Sequence, residues 1–156
     1  MISTAILALA AAAQNPHGAR QQATVIMPDD ARQRQFQQDY GYADAVVSNG
    51  VVYLSGVPAF LAPGETDLDK AFTRAFEALG KSLVRAGVSW DDVVQVQSVH
   101  TDVNNQIDAM VKVKNRYMTG KPPAWTAVGT NGLLQPGGIA EITLIAHVPT
   151  ARGGTQ

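Results

Sequence analysis

Glu141 stands alone among apolar neighbours in Ile139-Ala140-Glu141-Ile142-Thr143-Leu144-Ile145. A carboxylate in such a strand is expensive to bury unless it is paired or used. Used, it would act as a general base toward an attacking water, or as an acid toward a departing group. Paired, it would be an ion pair or a backbone-satisfied group at a subunit contact. His100, in Val99-His100-Thr101-Asp102, belongs to the residue type that exchanges protons near neutrality, and Asp102 is spaced to orient it. A histidine at a strand end that merely bonds a neighbour is the alternative. His147 ends the last strand and His17 lies near the start, so no group of His or carboxylates has metal-ligand spacing and no metal is expected. The chain has no cysteine, hence no thiolate nucleophile and no disulfide. It has no Gly-rich phosphate loop, and Ser55-Gly56 lacks the strand-to-helix elbow that would expose a serine nucleophile. No cofactor is expected.

The elements that must position these residues are legible from periodicity and turn chemistry. Asn49-Gly50 between Tyr42–Ser48 and Val51–Gly56 predicts a hairpin. Pro58 to Glu65 reads as a loop. Thr66 is placed to cap a helix with Asp69 three residues on, and Leu68, Phe72, Phe76, Leu79 and Leu83 form one apolar face that Gly87 ends. Val93 to Thr101 predicts a third strand. Asp102 or Asn104 would cap a second helix with the stripe Val103, Ile107, Met110, Val111 and Tyr117, ended by Gly120 and Pro122-Pro123. Ala124–Thr130 and Ile139–Val148 are the closing strands, separated by the turn-rich segment Asn131 to Gly138. The expected order is β-β-α-β-α-β-β: an α+β sandwich with a mixed sheet and both helices on one face. Val94, Val96, Ile142 and Leu144 argue that the other face is partly covered by another subunit.

Composition bounds the function. With 156 residues, 46% of them hydrophobic, the chain fits one domain with a real core. Twelve Lys and Arg against 13 acidic residues, with no basic run, leave little attraction for a phosphate backbone, so nucleic acid is not an expected partner. Residues 1–13 hold an apolar run from Ala5 that ends in Ala11-Ala12-Ala13, which reads as a signal-peptide core with a small-residue cleavage site. It is too short for a bilayer anchor. Export to the periplasm or beyond is therefore expected, without a membrane anchor after cleavage. Residues 14–39 are rich in Gln, Arg, Asn and Pro and read as a mobile leader, residues 40–149 as the domain, and residues 150–156 as a flexible tail.

Three stretches together resemble the Rid/YjgF family of reactive-intermediate deaminases: Asn49-Gly50-Val51-Val52-Tyr53-Leu54-Ser55-Gly56, the helix from Asp67 to Gly87, and Pro123-Ala124-Trp125-Thr126 ahead of Glu141-Ile142. The resemblance covers about Tyr42 to Val148 and implies a chorismate-mutase-like sandwich, a homotrimer whose sheets line a central barrel, and small-molecule clefts at the subunit interfaces. In deaminase members the Arg of Pro-Ala-Arg grips the carboxylate of a 2-imino acid or its enamine tautomer, and a glutamate on the last strand positions the attacking water. The glutamate is kept as Glu141, whereas the arginine is replaced by Trp125. Loss of a charge-assisted bidentate contact is worth on the order of 2–5 kcal/mol. Trp125 would suit a flat or cationic ligand through stacking or cation-π attraction, or would pack at an interface.

Tyr42 matches an aromatic residue bordering the family's cleft, Ser55-Gly56 the pair whose glycine admits a ligand to the backbone, and Thr126 follows the motif position. Lys114 falls where deaminase members commonly have Asn, beside Asn115; it would replace the lost charge or simply be solvated. The resemblance thus implies a deaminase of imines or enamines other than the usual 2-imino acids, with a non-catalytic trimer that binds a small molecule or partner protein as the alternative. Ribonuclease activity, which also occurs in the family, finds no basic groove to support it.

Overall fold

The computed structural model describes residues 18–149; the expected signal peptide and the tail lie outside the described residues. The elements are α1 (Ala19–Gln22), β1 (Thr24–Ile26), α2 (Ala31–Tyr40), β2 (Ala45–Ser48), β3 (Val51–Leu54), β4 (Val57–Phe60), α3 (Leu68–Arg85), a single 3-10 turn (Trp90–Asp92), β5 (Val93–His100), α4 (Val103–Tyr117), β6 (Ala124–Gly129) and β7 (Gly138–His147). Among the described residues the seven strands form one mixed sheet in the order β1-β2-β3-β7-β5-β6, with β4 also paired to β7. The α+β class and the mixed sheet are as expected.

The β2–β3 hairpin turns on Asn49 and Gly50, both at positive φ (50° and 75°), which is the type I′ geometry that suits the twist of paired strands. α3 is capped by Asp67 rather than Thr66: the Asp67 carboxylate accepts from the backbone N–H groups of Asp69 and Lys70. A carboxylate at this end also meets the positive pole of the helix. Phe72, Phe76, Leu79 and Leu83 are buried against the sheet. Each contributes about 1.5–3 kcal/mol of transfer free energy, so this face holds the helix down. Arg116 on α4 grips Asp69 on α3 with two hydrogen bonds of 2.7 and 2.9 Å, which with Lys112 holds the Asp69 carboxyl down to about 2.

Four further expectations change. The segment expected as leader contains structure from residue 19 on: β1 extends the sheet by pairing antiparallel with β2, and α2 runs for 10 residues. Asp30 caps α2 by accepting from the N–H groups of Arg32 and Gln33, and Gly41 ends it in the left-handed conformation. Its face carries one large apolar residue, Phe36, so hydrophobic periodicity is silent where Gln and Arg propensity and the two caps are not. Secondly, Pro58 lies in a strand, not a loop; it stands opposite Glu141 in the β4–β7 pair. Thirdly, α4 buries Gln106, Met110, Val113 and Lys114, one position round from the expected stripe, because Gln106 is tied to a buried histidine. Fourthly, Asp102 precedes α4 but makes no capping bond; its carboxylate accepts from the Asn105 side chain.

β7 decides the layout. Its C-terminal half pairs with β3 and its N-terminal half with β4 along the same edge, while β5 runs along the other. Ala140, Ile142, Leu144 and Ala146 point into the layer of α3 and α4, so Glu141, Thr143 and Ile145 point to the opposite, helix-free face. That face also presents Tyr53, Val99, Thr126 and Val128, with Tyr53 and Val128 exposed.

Candidate functional site

The β3–β4 junction is a bulge. Between the pairs Tyr53–Ile145 and Val57–Ile142, three residues (Leu54, Ser55, Gly56) face two (Thr143, Leu144). An extra residue breaks the ladder and turns its groups elsewhere. The Ser55 N–H donates to the Asp44 carbonyl at 2.9 Å, and its hydroxyl donates to the Ala43 carbonyl at 2.6 Å. The β2 entry and the bulge are therefore stitched together, and Tyr42 and Asp44 are held beside them.

Gly56 sits where the Glu141 side chain crosses. A Cβ on Gly56 would lie 2.6 Å from Glu141 Cδ and 2.7 Å from Cγ, with Oε1 closer still. The sequence reading assigned this glycine to ligand approach; in the structure the space is filled by Glu141 itself. Among the described residues no hydrogen bond or ion pair holds the half-buried Glu141 carboxylate. Tyr42 is close enough to register it: burial, chiefly, and then the Asp44 and Glu141 charges push the phenol up from 10.0.

Tyr42, Ser55 and Gly56 also line a cavity of about 870 Å³ between α2, α3 and the loop at Leu134–Pro136. On its wall Gln37 donates to Asp44 Oδ1 at 2.6 Å, and Asp44 Oδ2 pairs with the Arg85 guanidinium of α3. Arg32 and Lys81 complete its charged lining.

The geometry fits the comparison with known proteins. The family model described as Endoribonuclease L-PSP matches residues 33–148. The chain belongs to this family, the Rid/YjgF family. It is 33% identical over 129 residues to the RutC family protein YjgH of Escherichia coli K12, a match that covers 81% of this chain and 95% of that protein. The solved structure of protein YjgH superposes with a TM-score of 0.67 at 30% identity, covering 82% of this chain and 98% of that one. YyfA of Yersinia pestis, described as a Rid-family protein of unknown function, superposes at 0.67 with 26% identity, covering 81% and 99%.

Within this Rid chain the expected site residues fall into two groups on opposite sides of the sheet. Tyr42, Ser55, Gly56 and Glu141 come together. Trp125, Lys114 and His100 gather on the helix side. Thr126 shares the helix-free face with Glu141, but on β6 with β5 between. Trp125 therefore does not face Glu141 within one chain.

The helix-side group is a directed chain of hydrogen bonds. An indole N–H can only donate, so Ser98 Oγ accepts from Trp125 at 3.0 Å and turns its own hydrogen toward His100 Nε2, 2.9 Å away. The proton of the neutral ring then sits on Nδ1, 3.2 Å from Gln106 Oε1. The Gln106 amide donates to Thr101 Oγ1 at 3.2 Å, and that hydroxyl donates to the Ile139 carbonyl at 2.9 Å. His100 is fully buried, and Gln106 and Ser98 orient it rather than Asp102. Burial pushes its pKa down from 6.5, with the Gln106 bond opposing. Lys114 is buried rather than solvated: its ammonium donates to Asn115 Oδ1 at 2.7 Å and lies 5.3 Å from the Trp125 ring centroid.

The sequence reading missed Gln37, Asp44, Lys81, Arg85 and Arg32. Arg85 was within reach of it, since it follows the apolar stripe of α3 by two residues from Leu83. The remaining signal, the Asp30 and Gly41 caps of α2, lies in the segment set aside as leader.

Two outcomes follow from this geometry. Gly56→Ala should destabilise the protein by about 1–3 kcal/mol through overpacking against Glu141. In a Glu141→Ala background the same change should cost far less, and denaturant titration of the four proteins measures that coupling. His100, for its part, binds a proton less readily folded than unfolded. Stability is thus fully present above the unfolded value of 6.5 and falls as pH drops through it. Urea midpoints measured from about pH 8 to about pH 5 should fall more steeply for the wild type than for His100→Gln.

Proposed function

We propose that this chain hydrolyses reactive imines or enamines to a carbonyl compound and ammonia, at the cleft formed by Glu141, Gly56, Ser55 and Tyr42. The carrying observation is a carboxylate seated on a bulge glycine with no hydrogen bond or ion pair from another described side chain. A carboxylate kept only for stability would be paired.

In this reading Glu141 takes a proton from water as the oxygen attacks the C=N carbon. The C–O bond forms and the C=N pair becomes a lone pair on nitrogen. Glu141 returns the proton to that nitrogen, then takes the proton of the new hydroxyl and passes it to the same nitrogen, so that C=O forms as the C–N bond breaks with its electrons leaving on ammonia. No redox partner is needed. The bulge supports the assignment because it places this one ionisable side chain beside the Tyr42 phenol and the mouth of a cavity.

The substrate is altered from the usual 2-imino acids of the family, since position 125 offers no cation to a carboxylate. Trp125 has committed its N–H to Ser98 and stands on the far side of the sheet. An arginine introduced there would face the Lys114 ammonium and the fully buried Ser98 and His100. The reading also assigns a homotrimer, in which the helix-free face with Tyr53, Ile145 and Val128 meets its copies and the cleft lies at the contact. Support comes from the large apolar side chains Tyr53 and Val128 that this face exposes. Export by way of residues 1–13 completes the proposal.

Ammonia release from a panel of imines generated in situ, with and without a carboxylate, tests the chemistry. Glu141→Ala should lower the rate by at least about 100-fold, and activity that survives the change would remove Glu141 from the mechanism. Assembly is tested by sedimentation: the wild type should run as three chains and Val128→Asp as a smaller species. A stable wild-type monomer would refute the trimer.

A further inference from the structure

The cavity beside Gly56 holds three cations and one carboxylate among its lining residues: Arg32, Lys81 and Arg85 against Asp44. The carboxylate is already spent. Asp44 receives Gln37 on one oxygen and Arg85 on the other, deep enough that both its side chain and that of Arg85 are mostly covered. Arg85 is further fixed by Ser82 Oγ at 3.1 Å, and its outer nitrogen has only a loose 3.9 Å approach to the exposed Asp29. The Nε of Arg85 is buried without a partner. Arg32 and Lys81 have no ion pair or side-chain hydrogen bond among the described residues. Asp29 and Glu77 line an adjoining pocket with Lys81 and Arg85, but within this cavity the cations outnumber the carboxylates, and a concave, partly apolar site of that charge favours an anion, since walls of low dielectric strengthen the attraction.

We propose that this cavity receives the carboxylate of the ligand on Arg32 and Lys81, with the Asp44-clamped Arg85 as a fixed charge behind them. The substrate's anionic group is then held from α2 and α3 instead of from strand position 125. The inference rests on the deaminase reading for which molecule carries the carboxylate, not for the anion site itself. It accounts for two features together. The position that carries the family's arginine can be a tryptophan tied into the core, because the charge it supplied has moved. The polar helix α2, with one large apolar residue to bury, has a reason to lie over the cavity, since it brings Arg32 to the wall and Gln37 to Asp44.

Geometry along the wall is compatible with one small molecule. Tyr42 and Gly56 both line the cavity, and the Glu141 side chain crosses the backbone of Gly56. A ligand with its carboxylate toward Arg32 and Lys81 would present its C=N carbon toward Gly56 and Glu141. Lys81 and Arg32 are specificity-determining residues in this scheme, because they touch the ligand away from the reacting atoms.

The test is binding by the full chain of 2-oxobutanoate, a small carbonyl compound that carries a carboxylate, against butanone as its uncharged twin, by calorimetry or saturation-transfer NMR. Arg32→Ala/Lys81→Ala should weaken 2-oxobutanoate at least about fivefold and leave butanone unchanged, as expected when a charge contact is lost. Lys81→Glu alone should weaken it further than Lys81→Ala, which keeps the test alive should the double variant fold poorly. A change below fivefold in both the double variant and Lys81→Glu would overturn the assignment, as would inorganic phosphate displacing 2-oxobutanoate at equal or lower concentration. Glu141→Gln separates the two readings: it should keep carboxylate binding and lose ammonia release. A wild type that binds 2-oxobutanoate through Arg32 and Lys81 yet releases no ammonia from any imine would end the deaminase reading and support the anion site.

Discussion

The contact between Glu141 and the bare backbone of Gly56 organises this molecule's chemistry. A side chain can cross a neighbouring strand so closely only where that strand has no Cβ and has left the ladder. Both conditions come from one extra residue between β3 and β4. The bulge lets two short strands share one edge of β7, and it frees Ser55 to bind the chain at Ala43 and Asp44. From that stitch follow the position of Tyr42, the approach of Asp44 to Arg85, and the cavity under α2.

The sheet separates two kinds of polarity. On the helix side, buried Ser98, His100 and Gln106 form a closed series in which each donor has its acceptor, starting at the Trp125 indole and ending at a backbone carbonyl. Such a satisfied network fixes the packing of α4 and one tautomer of His100, and it offers nothing to a ligand. On the other side the half-buried Glu141 carboxylate has no hydrogen bond or ion pair among the described residues, and the buried polar atoms without a partner are Gln37 Oε1 and Arg85 Nε, both on residues lining the cavity under α2. His100, by contrast, has both ring nitrogens engaged within the fold.

How far the sequence revealed this depends on which physical signal each part carries. The α3 face, the Asn49-Gly50 turn and the closing strands rest on hydrophobic period and turn chemistry, which are local, and they were legible. Glu141 was legible for a related reason: a lone charge in an apolar strand breaks a local pattern. The bulge was not, because it is a mismatch of counts between two strands far apart in the chain. The face that Trp125 takes within one chain was hidden for the same kind of reason, since it depends on register with neighbouring strands. α2 escaped because its stability comes from caps, propensity and a covering role, with too little apolar surface to show a period.

The replacement of an arginine by a tryptophan at position 125 can be weighed in these terms. A guanidinium there would have to leave Ser98 with no indole donor and lie beside the Lys114 ammonium, whose burial already demands compensation from Asn115 and the aromatic ring. The tryptophan resolves both problems, filling the space and donating once. What it gives up is charge toward a ligand, and the chain carries uncommitted charge elsewhere, on the α2 and α3 wall next to the Glu141 bulge. Core and site are thus decoupled: the strand position serves packing, and two helices serve recognition. In such an arrangement the carboxylate of Glu141 and the cations of the cavity answer to different parts of the ligand, so specificity can drift through α2 and α3 without disturbing the bulge on which the chemistry depends.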